Sequence, residues 1–188
     1  MQRSSRKAVA GTIVLLILLV LFVVGKMGPT TQQVSTKSFV ASPTPETFHL
    51  GTRTKTIDCT VNGALPDTGC TPATVFPAAT VQEICTPGYS SSVRDVPVAE
   101  KNAVYAEYGI GTHTKGQHEV DHLISLELGG SNDIANLWPE AAEPRPGFHE
   151  KDKVENYLHE QVCTGGMPLT RAQQEIATQW LSVYQQLP

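Results

Sequence analysis

The sequence predicts an α+β domain, cross-linked by disulfides and set behind an N-terminal membrane segment. Three observations carry that expectation. An uncharged apolar run near the N-terminus gives way to a Thr/Ser/Gln/Pro-rich stretch. Four cysteines lie beyond that stretch, in the C-terminal two-thirds of the chain. The same region holds a pair of short extended pieces among segments with helical periodicity.

The apolar run extends from Ala8 to Val24, with Arg3, Arg6 and Lys7 ahead of it. As a helix it would span roughly 25 Å, slightly short of the ~30 Å hydrocarbon layer but within reach of thinning and tilt. Basic residues on its N-terminal side place that end in the cytoplasm and the body outside. A cleaved secretory signal is the competing reading, with Val23-Val24-Gly25 as a small-residue cleavage site. Either way the body is exported. Residues 1–27 are thus expected to form a signal anchor, 28–57 a flexible linker and 58–188 the domain, with its core at about 117–163.

Export gives the cysteines their meaning. Cys59, Cys70, Cys85 and Cys163 are an even set, which in an oxidising compartment points to two disulfides. Four cysteines allow three pairings, and the sequence alone does not choose among them. The preferred one joins Cys59 to Cys70, closing a Gly/Pro/Asp-rich loop, and Cys85 to Cys163, tying the N-terminal half to a late helix. A structural zinc site is the weaker alternative, because no Cys-x-x-Cys pair is present.

Along the domain, residues 58–76 are dense in turn formers. Thr80-Val81-Gln82-Glu83 has capping-box form and starts a short helix ending at Cys85, which Pro87-Gly88 breaks. Pro97 to Tyr108 reads as a helix closed by Gly109. Gln117 to Ile124 and Ile134 to Trp138 read as strands of a hairpin with a long loop. His149 to Cys163 is helical, with Val154, Tyr157, Leu158 and Val162 on one face, and Gly165-Gly166 stops it. Thr170 and Gln173 are expected to cap a last helix whose Ile176, Trp180 and Tyr184 form a stripe. Tyr157 and Trp180 are assigned to the core.

Charge argues against tight nucleic-acid binding. The chain carries 14 basic and 18 acidic residues. Setting aside Arg3, Arg6, Lys7 and Lys26 leaves 10 basic groups against 18 acidic, a net of −8. Phosphate neutralisation supplies most non-specific affinity, and no basic face is advertised here.

The chemistry concentrates in Glu119-Val120-Asp121-His122-Leu123-Ile124, Gly129-Gly130-Ser131-Asn132 and Ile134-Ala135-Asn136-Leu137-Trp138-Pro139. Phosphodiester hydrolysis needs an activated water, charge stabilisation on the phosphate and groups that align the two. A neutral histidine is the usual base near pH 7, and a carboxylate suits a hard cation. Neighbouring strand residues point to opposite sides, so Asp121 and His122 would share one site only where the strand ends or bends.

These residues resemble the HNH endonuclease superfamily, also called ββα-metal or His-Me finger, over roughly a quarter of the chain. The stretch from Cys59 to Tyr184 also resembles exported bacterial proteins that carry this core behind a cysteine-containing N-terminal segment. The resemblance implies a ββα-metal hairpin-helix core gripping one divalent ion (Mg²⁺, Mn²⁺, Zn²⁺ or Ni²⁺), with no small-molecule cofactor. It makes His122 the general base, Asp121 the first-strand metal ligand, Asn136 the residue that holds the loop and the base, and His149 the final ligand. Nucleic acid would be a weakly and non-specifically bound substrate.

Departures from the pattern are clear. Ser125 stands where a proline commonly follows, and the Cys-x-x-Cys knuckle is absent. The stretch from Asn136 to His149 is long, which makes Asp152 and Glu140 substitutes for His149. Glu119 reads as a solvated strand residue or support for the metal site, Arg145 as a solvent-facing loop cation, and His113, His118 and His159 as surface. Two non-enzymatic readings remain beside the nuclease: an inactive HNH-like module binding a cell-envelope partner, and a structural metal-binding protein.

Overall fold

A computed structural model describes residues 50–188. The apolar run and residues 28–49 of the expected linker lie outside the described residues. No helix among the described residues is long and apolar enough to cross a membrane. The described residues belong to one compact unit. Its class is mixed α+β, with one two-stranded antiparallel sheet and five α-helices among the described residues.

Residues 51–55, placed in the linker by composition, run beside 69–72. Thr54 and Lys55 donate backbone N–H bonds to Gly69 O, and Arg53 reaches Cys70 O at 2.9 Å and pairs with Glu107. Next comes α1, Val81–Ile84, where Thr80 and Glu83 form the expected reciprocal cap. Gly88, with φ of +86°, turns the chain into α2, Tyr89–Val93, a helix where the sequence predicts only a break. Then follow α3, Val98–Glu107, and β1, His118–His122.

The second strand, β2, covers Leu137–Ala141 rather than beginning at Ile134. Ile134–Asn136 instead form a 3₁₀ turn, because Asp133 accepts the Ala135 N–H at 2.8 Å and curls the chain. The register sets Asp121 opposite Trp138 and His122 opposite Leu137. Pro139, opposite Val120, is tolerated because each strand of a two-stranded sheet keeps an edge with no strand partner.

Helix α4, Phe148–Cys163, buries Val154, Leu158 and Val162 as the periodicity requires. Helix α5, Leu169–Tyr184, starts after Pro168 without a side-chain cap. Thr170 therefore sits inside the first turn, and Gln173 is spent elsewhere, donating to Leu128 O at 2.8 Å. Ile176 and Trp180 are fully buried, with the Trp180 indole N–H on Ala64 O at 2.7 Å. The core joins Ile84, Ile124, Leu128 and Trp138 to the inner faces of α4 and α5. Both disulfides pair as preferred, Cys59 with Cys70 and Cys85 with Cys163.

Candidate functional site

The hairpin loop explains how Asp121 and His122 serve one place. β1 ends at His122, and a 3₁₀ turn at Leu126–Leu128 leads into Gly129 and Gly130. Gly129 has φ of +77°, and a Cβ on Gly130 would lie 1.7 Å from Ile124 O. The turn closes only because both residues lack side chains. Asn136 then staples the loop from within. Its amide donates to Ile124 O and Ser131 O, and its oxygen accepts the Ile124 N–H. All its side-chain bonds go to loop backbone, so any hold on His122 passes through that backbone.

The residue on the His122 ring is Asn132. Its Oδ1 lies 3.1 Å from His122 Nε2, while its amide nitrogen donates to Val93 O at 2.7 Å. That second bond fixes the amide's orientation. Oδ1 must then accept from the ring, so Nε2 carries the proton and Nδ1 the lone pair. Among the described residues Nδ1 has no protein partner, and it is not among the sealed unpaired polar atoms, although only 1% of His122 is exposed. Burial holds the ring's pKa below its usual value, so it is neutral at pH 7.

Asp121 meets a residue to which the sequence motifs give no role. Lys151, in the first turn of α4, is fully buried, and its Nζ lies 2.6 Å from Asp121 Oδ2 and 2.8 Å from His122 O. A third bond goes to Glu155, one turn along α4. Those three acceptors use all three ammonium protons. Glu140 of β2 is 4.0 Å away and gets none, and its carboxyl pairs instead with that of Asp121.

The electrostatics follow from this crowding. Burial pushes Glu140 up to about 10 against the pull of Lys151, so it is a neutral acid at pH 7. Burial likewise pushes Glu155 up to about 8. Burial would raise Asp121 as well, but the Lys151 ammonium outweighs it and holds the carboxyl below its ordinary value. Desolvation works against the Lys151 ammonium, but its acidic neighbours, Asp121 foremost, hold its pKa above the usual lysine value, so it stays charged.

Asp121 and Glu155 also face a cleft of about 520 Å³ beside Glu119 and Asp152. Glu119, half-buried, is raised to about 7 by desolvation and then by Asp121 and Asp152. On the same cleft stand Arg94, Lys101 and Lys115. Arg94 follows α2 directly and makes no hydrogen bond or ion pair among the described residues, yet its charge acts on His122. At the cleft's other end Tyr105 and His113 stack, with ring centroids 4.1 Å apart.

The expected metal pair is a different matter. His149 is exposed in the first turn of α4, its ring against Phe148 at 4.2 Å. Asp121 is already neutralised by Lys151. The residues present therefore do not fit a divalent ion held between Asp121 and His149. Glu140 and Asp152, the substitutes, divide between the buried cage and the open cleft. Among the described residues one compact set has metal-ligating atoms, Cys85, His159 and Cys163, all within 4.8 Å of one another. Its two sulfurs are bonded to each other, and His159 Nε2 lies 3.0 Å from Ile84 O, so it is a disulfide with a histidine beside it.

No protein-family model matches the chain, and neither a curated protein nor a solved structure matches it. The site must be read from its own geometry.

Of the expected site residues, Asp121 and His122 lie at one strand end, Asn136 lies in the loop beneath, and His149 has no hydrogen bond or ion pair to the Lys151 cage among the described residues. Asn132, Lys151 and Arg94 were missed. The signal for Lys151 was present: Lys151, Val154, Leu158 and Val162 share one helix face, and a lysine on an apolar stripe needs buried partners. The signal for Asn132 was its place in the Gly-Gly-Ser-Asn turn. Arg94 gave none.

Proposed function

We propose that this domain hydrolyses phosphodiester bonds of nucleic acid outside the cytoplasm, by the chemistry of the HNH-like superfamily it resembles. The observation that carries the reading is the Asn132–His122 pair. A neutral histidine held in one tautomer, with an unpaired nitrogen at the end of a β-hairpin, is what a general base requires. Arg94, Lys101 and Lys115 supply cations for the phosphates, and the surrounding carboxylates keep binding weak and non-specific. The two disulfides support an exported location. No step is assigned to a divalent ion, because the expected ligand pair does not fit one.

The test is nicking of supercoiled plasmid and cleavage of single-stranded RNA by the full chain in mild detergent. His122→Ala is expected to slow cleavage by about 100-fold or more, the usual cost of losing a positioned general base. Cleavage at the wild-type rate in that variant rejects the reading.

One observation favours the second reading, an inactive module that binds an envelope partner. Asp121 is engaged by Lys151 and His122 is nearly covered, as they would be in a scaffold. A folded wild-type chain that cleaves neither substrate is the outcome that selects it.

A further inference from the structure

The cage around Lys151 is an all-oxygen cation site with its cation built in. Asp121, Glu155 and the His122 carbonyl bond the ammonium directly, and Glu140 completes the set at 4.0 Å. Three carboxylates and a backbone carbonyl are the oxygen ligands a hard divalent ion selects. Glu140, 98% buried given its 2% exposure, pairs with the Asp121 carboxyl and has Lys151 as its cation at 4.0 Å among the described residues.

Elements distant in the chain converge to make this site: β1 brings Asp121, β2 brings Glu140 and α4 brings Lys151 and Glu155. It lies directly under the strand end that carries His122.

We propose that Lys151 is the resident cation of the hydrolytic site, filling with its ammonium the position a divalent ion would take, so that the site works without metal. This rests on the hydrolase reading above. Lys151 is a positioning and electrostatic residue, since it is fully buried and touches no substrate. It neutralises Asp121 beneath the incoming phosphate and, through the His122 carbonyl, fixes the strand end that presents the base.

The experiment uses the full chain in detergent and has two arms with separate readouts. In the first, plasmid nicking is measured in excess EDTA. The wild type is expected to keep its rate within about twofold, whereas an enzyme with an essential metal loses it. Lys151→Met is expected to remain folded by circular dichroism and to lose about 100-fold in rate. Nicking that EDTA abolishes and Mn²⁺ restores overturns the proposal.

In the second arm, Mn²⁺ alone is titrated by calorimetry. The wild type is expected to show no site that depends on Asp121. Lys151→Ala empties the cage and is expected to gain one Mn²⁺ site, which a further Asp121→Asn removes. Stoichiometric Mn²⁺ binding by the wild type that Asp121→Asn abolishes overturns the proposal, as does a folded Lys151→Ala chain that binds none. If Lys151→Ala fails to fold, the two wild-type measurements decide. Absence of nicking under every condition rejects the hydrolase reading and leaves the cation assignment to the Mn²⁺ titrations, so the two failures are distinguishable.

Discussion

Glu140 shows how a single side chain ties the site to stability. Its folded pKa of about 10 lies above its ordinary 4.5, so between those values the folded state holds a proton that the unfolded chain has released. The stabilisation is whole below about pH 4.5 and is lost as pH climbs through the folded value. The steepest loss for one such group is about 1.4 kcal/mol per pH unit. Glu140→Gln keeps the neutral shape and is expected to flatten the fall in melting temperature between pH 5 and pH 9. An unchanged slope in thermal melts would assign that pH dependence to Glu155 instead. At this scale the sequence was legible for the strand-end pair Asp121 and His122. It was opaque for the residues that tune them. Glu140 and Lys151 meet across two strands and a helix, and periodicity carries no cross-element distances.

The hairpin loop is where local backbone chemistry and the site coincide. Gly130 approaches Ile124 O so closely that any Cβ must displace the loop. Gly130→Ala is expected to cost about 3 kcal/mol, at the upper end for overpacking, measured by urea denaturation. Ser125 offers the opposite change. Its φ of −62° suits proline, its hydroxyl is buried without a partner, and no backbone hydrogen bond uses its N–H among the described residues. Ser125→Pro is expected to stabilise by about 0.5–1 kcal/mol through the unfolded chain. A lowered melting temperature would show that the ring does not fit the packed loop. Capping signals were legible where they acted alone, as at Thr80 and Glu83. They misled at Thr170 and Gln173, because the Leu128 carbonyl competes for Gln173. The start of β2 was misplaced for a similar reason, since Asp133 diverts three residues of strand-forming character into a turn.

Across the whole molecule, the α+β class, the order of the main elements and the presence of two disulfides followed from the sequence, whereas the choice among three pairings did not. Turn chemistry, helical periodicity and an even cysteine count are all local or compositional signals. What they could not supply was the burial of a charged cage between elements. The Cys85–Cys163 bond spans 78 residues and joins the end of α1 to the last residue of α4. Chain-entropy arguments give a loop of that length a stabilisation of about 4 kcal/mol. The Cys85→Ser, Cys163→Ser double variant is therefore expected to melt far lower than the wild type, or to be unfolded at 37 °C. A melting temperature within a few degrees of wild type would put the stabilisation elsewhere. Helix α4 is consequently anchored at both ends, by Lys151 at its start and by sulfur at its finish. Reduction of that bond frees the rear end of the helix, so the geometry behind His122 is less secure in the reduced chain.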